Sequence, residues 1–182
     1  MNARGQFGRR RLFLAIWIPP ALRRALLQEV TRRLPAGAGR RVAGADLHLT
    51  LLFLGPVASG RLQALVAACR RLRAPSFELR LTQTSCWGEG RLWVVEAEPV
   101  PALLELQRRL RASIARLGIA LESRPYRPHV TLARDLPRTS GVTLAARQPA
   151  LRGRIGSYCL AESMAPVSGR RYRILVRWPL RG

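Results

Sequence analysis

Arg124-Pro125-Tyr126-Arg127-Pro128-His129-Val130-Thr131-Leu132-Ala133-Arg134 has an echo 81 positions earlier (129 − 48) in Asp46-Leu47-His48-Leu49-Thr50-Leu51-Leu52-Phe53-Leu54-Gly55. Both contain His-x-Thr-Leu, and His48 and His129 are the only two histidines of the chain. Each is a short run of aliphatic residues closed by turn-forming or basic ones, which reads as a strand. Side chains alternate faces along a strand, so His48 and Thr50 share one face while Leu49 and Leu51 point behind. His129 and Thr131 share a face in the same way, with Val130 and Leu132 behind them. Each copy aims an imidazole and a hydroxyl to one side.

Reading outward, the pattern alternates strands and helices. A strand is expected at 12–18. Pro19-Pro20 then opens a helix at 21–34, with Leu22, Leu26, Leu27 and Val30 on one face. The first motif strand spans 47–54 and is closed by Gly55-Pro56. Ser59 is the expected cap of a helix running to 72. Strands come next at 77–82 and 92–97, separated by a turn at 86–91. Pro99 and Pro101 introduce a helix to 117 that carries Leu103, Leu106, Leu110 and Ile114 as its stripe. The second motif strand spans 128–134, and strands at 151–162 and 171–178 close the chain across a turn at 166–170. Helix, motif strand and further strands thus occur twice. This predicts an α+β fold in which a duplicated α/β unit forms two lobes. Two antiparallel sheets would face a central cleft, with helices on the outside. Residues 1–10 are basic and glycine-containing and read as a mobile tail; 11–182 read as one bilobal domain.

Composition narrows the chemistry. The 182 residues carry a formal charge of +22, from 32 Arg and no Lys against 10 acidic residues. Replacement of every Lys by Arg is a compositional habit and says nothing about function. The excess of cations points weakly to a nucleic-acid partner. Cys69, Cys86 and Cys159 are scattered and odd in number, which argues against a disulfide framework and for a reducing cytoplasm. Neither histidine has a Cys, His or carboxylate at ligand spacing, so neither a metal nor a cofactor is expected. No apolar run approaches the roughly 20 residues of a membrane helix. The run at 12–18 is stopped by prolines and arginines, and reads as a strand leading into a helix rather than as a signal peptide.

Two imidazoles facing each other across a cleft, with two hydroxyls between them, suit displacement at a phosphodiester. One neutral His takes a proton from the attacking oxygen and one protonated His gives a proton to the leaving oxygen. An ordinary pKa near 6.5 lets either side chain play either part. Thr hydroxyls and an Arg can hold the non-bridging oxygens. Serine hydrolysis fits less well, because no Gly-x-Ser-x-Gly elbow is present. The residues themselves leave open which histidine is the acid.

The chain resembles the 2H phosphoesterase superfamily, and within it the RNA 2′,3′-cyclic phosphodiesterase (2′-5′ RNA ligase) family. The residues that carry the resemblance are His48-Leu-Thr50-Leu with Leu51-Leu-Phe-Leu-Gly55, and Tyr126-Arg-Pro-His129-Val-Thr131-Leu-Ala-Arg134. Arg11-Leu-Phe-Leu-Ala-Ile-Trp-Ile-Pro19 and Leu160-Ala-Glu-Ser163 add to it. The resemblance implies metal-free hydrolysis of RNA 2′,3′-cyclic phosphate ends to 2′-phosphomonoesters, with reversible 2′-5′ ligation as a secondary activity. It implies His48 as proton donor, His129 as proton acceptor, and Thr50 and Thr131 as phosphate-holding hydroxyls. The implied substrates are RNA ends, tRNA fragments among them, acted on by a monomer.

Four further residues are candidates for substrate binding. Arg134 matches the family pattern, but on a straight strand it shares the face of Val130 and Leu132, so a phosphate contact requires the strand to end or bulge there. Arg127 has the right parity. Trp87, beside Gly88 and Gly90 in a turn, and Tyr126 could stack on a base, whereas Phe53 is expected in the core. The competing functions are a non-catalytic RNA-binding protein using the same basic cleft, and action on a small cyclic nucleotide such as ADP-ribose cyclic phosphate.

Overall fold

The computed structural model describes residues 8–89, 91–137, 146–167 and 170–181. Strand β1 (Arg9–Trp17) buries Leu12, Leu14 and Ile16 on one face and Phe13 and Ala15 on the other. It begins three residues before the expected start, within the stretch read as a tail. Arg10 reaches Glu162 through Nε at 2.8 Å and Nη2 at 2.7 Å, which fixes this end of the strand. Residues 1–7 of that expected tail lie outside the described residues. Helix α1 (Pro20–Arg33) starts with Pro at its first position, whose missing N–H costs nothing there, and buries Leu22, Leu26 and Val30 at helical spacing. The remaining elements are β2 (Arg40–Arg41), β3 (His48–Ala58), α2 (Leu62–Arg70), β4 (Phe77–Trp87), β5 (Leu92–Ala97), α3 (Pro101–Ala115), β6 (His129–Arg134), β7 (Ala146–Ile155), β8 (Ser157–Val167) and β9 (Arg170–Pro179).

The fold is α+β, but the described strands hydrogen-bond into one antiparallel sheet of nine, not two. Its order is β7-β4-β5-β6-β3-β1-β8-β9, with β2 on β6. The halves meet between the motif strands β3 and β6 through a single residue pair, Leu49 and Val130. Both side chains are fully buried in the main core, so one core runs beneath both halves. The expected strand at 151–162 is two strands divided at Gly156. β7 pairs with β4 at one edge of the sheet, while β8 pairs with β1 and β9 near the other. One residue separates two strands from opposite ends of the sheet, so the sheet must curl strongly on itself.

The helices are exchanged between halves. α1 lies in the chain between β1 and the short β2 that precedes β3, yet packs against β7, where Gly153 allows close approach: a Cβ there would lie 3.1 Å from Leu22 Cδ2. α3 joins β5 to β6 yet packs against β3 and α2.

Three local expectations are corrected. Gly55, with φ of +67°, and Pro56 lie inside β3 and do not close it. Ser59 does not cap α2; its hydroxyl donates to Gly8 O at 2.6 Å. Trp87 ends β4 and does not sit in a turn. The centre of the expected turn at 166–170, residues 168–169, lies outside the described residues.

Candidate active site

The register of each motif strand shifts just after its threonine. Along β3, Trp17, Ala15, Leu14 and Phe13 of β1 pair with His48, Thr50, Leu52 and Phe53, so Leu51 is passed over. Along β6, Val94 and Trp93 of β5 pair with Thr131 and Ala133, so Leu132 is passed over. An extra residue in one strand reverses the facing of the residues beyond it. Leu51 and Leu52 both enter the core, as do Leu132 and Ala133. Phe53 and Arg134, each five residues after its histidine, are thereby turned onto the face that holds the histidines and threonines. Phe53 packs with Phe13, Trp17 and Tyr172 in a small cluster separate from the main core. The expectation that Phe53 is a main-core residue is corrected by that bulge, and the parity objection to Arg134 is removed by its counterpart.

Across the Leu49–Val130 pair, antiparallel register sets His48 beside Thr131 and Thr50 beside His129. The two histidines therefore lie on a diagonal, which on an ordinary ladder spans about 7–8 Å. Each ring is pinned in the same manner. His48 Nδ1 lies 2.7 Å from the carbonyl of Asp46, and His129 Nδ1 lies 2.7 Å from the carbonyl of Arg127, in both copies two residues back. A carbonyl only accepts, so each Nδ1 carries a proton and each Nε2 is left for chemistry.

The surroundings of the rings differ. His48 stacks on Trp17 (centroids 5.2 Å apart), lies 5.0 Å from Phe13 and meets the edge of Tyr172 at 4.8 Å. Burial among these rings is the main reason its pKa falls, to about 4; the Asp46 carbonyl and carboxylate oppose the shift and the charge of Arg134 adds to it. His129 faces Trp87 at 4.4 Å and pairs across the sheet with Glu96, whose carboxylate accepts from Ser85 Oγ at 2.6 Å. Burial again lowers its pKa most, with the Arg127 carbonyl and Glu96 opposing and Arg134 and Arg127 adding. The charge of Arg134 contributes to the lowering at both rings.

The other candidates flank this centre. Arg127 lies over the Trp87 ring at 4.2 Å. Tyr126 donates to the Thr50 carbonyl at 3.3 Å, and burial raises its hydroxyl pKa. These residues, with Thr50, Phe53 and His129, line a cavity of about 500 Å³ at one end of the cleft. Arg134 lines a second cavity, of about 290 Å³, at the other end with Arg40, Arg171, Asp46 and Tyr172. All eight residues singled out from the sequence thus lie at or beside one face of the β3–β6 seam. Among the described residues, no three His, Cys, Asp or Glu side chains converge as metal ligands.

A family model described as the 2′-5′ RNA ligase superfamily matches residues 18–162. The chain belongs to that superfamily. A member from Escherichia coli (strain K12), named RNA 2′,3′-cyclic phosphodiesterase, is 34% identical over 93% of this chain and 96% of its own length. A protein of the same name from Thermus thermophilus is 33% identical over 94% of this chain and 91% of its own. Among solved structures, E. coli LigT complexed with 3′-AMP superposes with a TM-score of 0.83 at 33% identity, covering 96% of this chain and 99% of LigT.

Sequence reasoning missed the rings around His48 in this superfamily member. Phe13 and Trp17 share a strand face at even spacing, so parity could have placed them together. Tyr172 arrives only through β9, which the sequence does not tie to the site. Asp46 is 2% exposed; its Oδ2 accepts from the Arg171 N–H at 2.7 Å and so draws the start of β9 to the site.

Proposed function

We propose that this protein hydrolyses 2′,3′-cyclic phosphate ends of RNA to 2′-phosphomonoesters by metal-independent acid–base catalysis at two histidines. The reading rests on one observation: two His–Thr pairs lie diagonally on one face of the β3–β6 seam, each with Nδ1 pinned and Nε2 free. In the forward step, His129 Nε2 takes a proton from water as the water oxygen bonds to phosphorus. The 3′ oxygen leaves with a proton from His48 Nε2, and the phosphate stays on O2′. Thr50, Thr131 and Arg134 hold the non-bridging oxygens, where charge grows. Trp87, Tyr126 and Arg127 bound the space for the terminal nucleoside. A 5′-hydroxyl in place of water gives a 2′-5′ linkage by the same route. RNA ends, tRNA fragments among them, are the substrates in this reading, with a monomer as the working unit and the cytoplasm as the compartment. The relatives' shared name supports the reaction class.

A specific observation favours the reverse assignment of acid and base. In the free protein burial lowers both pKa values, against Asp46 at His48 and Glu96 at His129, and His48 falls as far as about 4. His48 can act as the acid only if the substrate's negative charge brings the proton to it. A substrate with sulfur in place of the 3′ oxygen separates the two, because sulfur leaves without a proton. It restores turnover to a variant lacking the acid and not to one lacking the base.

The reaction itself is tested with a cyclic-phosphate oligoribonucleotide, identifying the product isomer with and without EDTA. A 2′-phosphate in both conditions is expected. A 3′-phosphate would overturn the direction of ring opening, and activity lost to EDTA and restored by zinc or magnesium would overturn metal independence. A protein that binds this RNA without turning it over would be the non-catalytic alternative.

A further inference from the structure

The smaller cavity, lined by Asp46 and by the Tyr172 that meets His48, holds two arginines that the chemistry above does not use, Arg40 and Arg171. Three cations, Arg40, Arg134 and Arg171, line it against one carboxylate, Asp46. Asp46 is buried, and its Oδ2 is taken by the Arg171 backbone N–H. Arg40 shares an exposed contact with Asp135, Nη2 to Oδ2 at 3.1 Å. Among the described residues, the side chains of Arg134 and Arg171 have no carboxylate partner. Concentrated positive charge in a concave wall binds anions, and guanidinium forks fit phosphate oxygens.

The larger cavity at the other end differs. Its arginines are engaged: Arg124 with Glu122 at 2.9 Å, Arg111 with the Glu122 carbonyl at 2.6 Å, and Arg127 over Trp87. Stacking surface dominates one end of the cleft; at the other, two of the three arginines, Arg134 and Arg171, have no carboxylate partner among the described residues. Backbone packing fixes the charged end closely. Gly39, at φ of +90°, lets the chain entering β2 lie so near β6 that a Cβ there would be 2.8 Å from Arg134 O, and this brings Arg40 into register opposite Arg134. Arg134 belongs to both places, since it lines this cavity and ends the motif strand β6 that begins at His129. An anion in this cavity is therefore the neighbour of the reacting phosphate.

We propose that Arg40 and Arg171 form a subsite for a second phosphate of the substrate, the 5′-phosphate of the nucleotide that carries the cyclic phosphate. The subsite makes phosphorylated or polymeric ends better substrates than a bare nucleoside 2′,3′-cyclic phosphate. The assignment rests on the cyclic phosphodiesterase reading above.

The test compares kcat/KM for a nucleoside 2′,3′-cyclic phosphate and for the same compound bearing a 5′-phosphate. Measurements at 0.15 M salt limit unscreened fields to about 8 Å. The unaltered protein should favour the phosphorylated compound by about tenfold or more, the effect of a charge-assisted hydrogen bond. The ratio should fall toward one in the Arg40→Gln/Arg171→Gln double variant and partly in Arg171→Gln alone, while Arg171→Lys keeps most of it. Arg181→Gln removes the same charge next to the Ala74 bridge and should leave the ratio unchanged. A ratio that survives in the double variant, or that Arg181→Gln lowers equally, overturns the subsite. If neither compound is turned over, the phosphodiesterase reading falls, and the subsite is judged by binding alone. The unaltered protein should then bind the nucleoside 5′-monophosphate more tightly than the nucleoside, and equal affinities overturn the proposal.

Discussion

Five residues after the motif histidine stands Phe53 in one half and Arg134 in the other. Both reach the cleft by the same device, a bulge after the threonine that reverses strand facing. The backbone is duplicated and the side chain delivered by it is not. The histidines differ in the same sense: His48 sits among Phe13, Trp17 and Tyr172, while His129 sits beside Glu96 and Trp87. A repeated scaffold holds two imidazoles in equivalent places, and its neighbours make them unequal. That inequality biases which imidazole carries the proton, because two identical groups would titrate alike.

The largest effects should come from the histidines. His48→Ala and His129→Ala should each lower kcat by about 10²–10⁴-fold while leaving RNA affinity largely intact. Full turnover in either variant, measured on a cyclic-phosphate oligonucleotide, breaks the view that both halves are needed. Next come the two bulge positions. Arg134→Gln should lower kcat about 10²–10³-fold, as loss of a group that stabilises transition-state charge does. Phe53→Leu should act mainly on KM. Equal effects on kcat would mean that the two positions are functionally equivalent after all.

Stability against pH separates the environments further. The unfolded chain takes up a proton at His48 near 6.5 and the folded chain at about 4, so between these values the unfolded state holds more proton. Stability should therefore fall as pH drops from 6.5 to 4, by on the order of 3 kcal/mol, and His48→Asn should remove that loss. Glu162, held down to about 2 by Arg10 and Arg173, acts in a lower window. Its contribution is present above 4.5 and lost as pH falls toward 2. Urea midpoints at pH 7, 5 and 4 read the His48 loss, and unfolding at pH 3 in both proteins reads the Glu162 one. The smallest effect is expected from Glu96→Gln, which removes a support of His129 protonation. One limb of the pH–rate profile should move down, and an unmoved profile would uncouple Glu96 from catalysis.

Much of this was legible from spacing. The i, i+2 parity of His48–Thr50 and His129–Thr131 put both pairs on one face, and the stripes Leu22–Leu26–Val30 and Leu103–Leu106–Leu110–Ile114 are the faces that α1 and α3 bury. Parity failed where the chain gains a residue. Nothing in Thr131-Leu132-Ala133 marks a bulge, since all three residues suit a straight strand, and Phe53 was misplaced for the same reason. The long strand expected through Gly156 also failed, because alternation is equally good on either side of that break. Pairing partners several strands away decide such points.

The sequence by itself determined the candidate set, because imidazole and hydroxyl side chains recur at strand period and only two histidines exist. It determined the α+β class and the apolar faces as well, since these depend on local periodicity. Only the tertiary structure decided that the halves share one curled sheet, that α1 and α3 cover each other's half, and that bulges turn Phe53 and Arg134 into the cleft. It alone brought Tyr172 to His48 and Arg171 to Asp46. Register and burial arise from contacts between residues far apart in the chain, and short-range pattern carries no record of them.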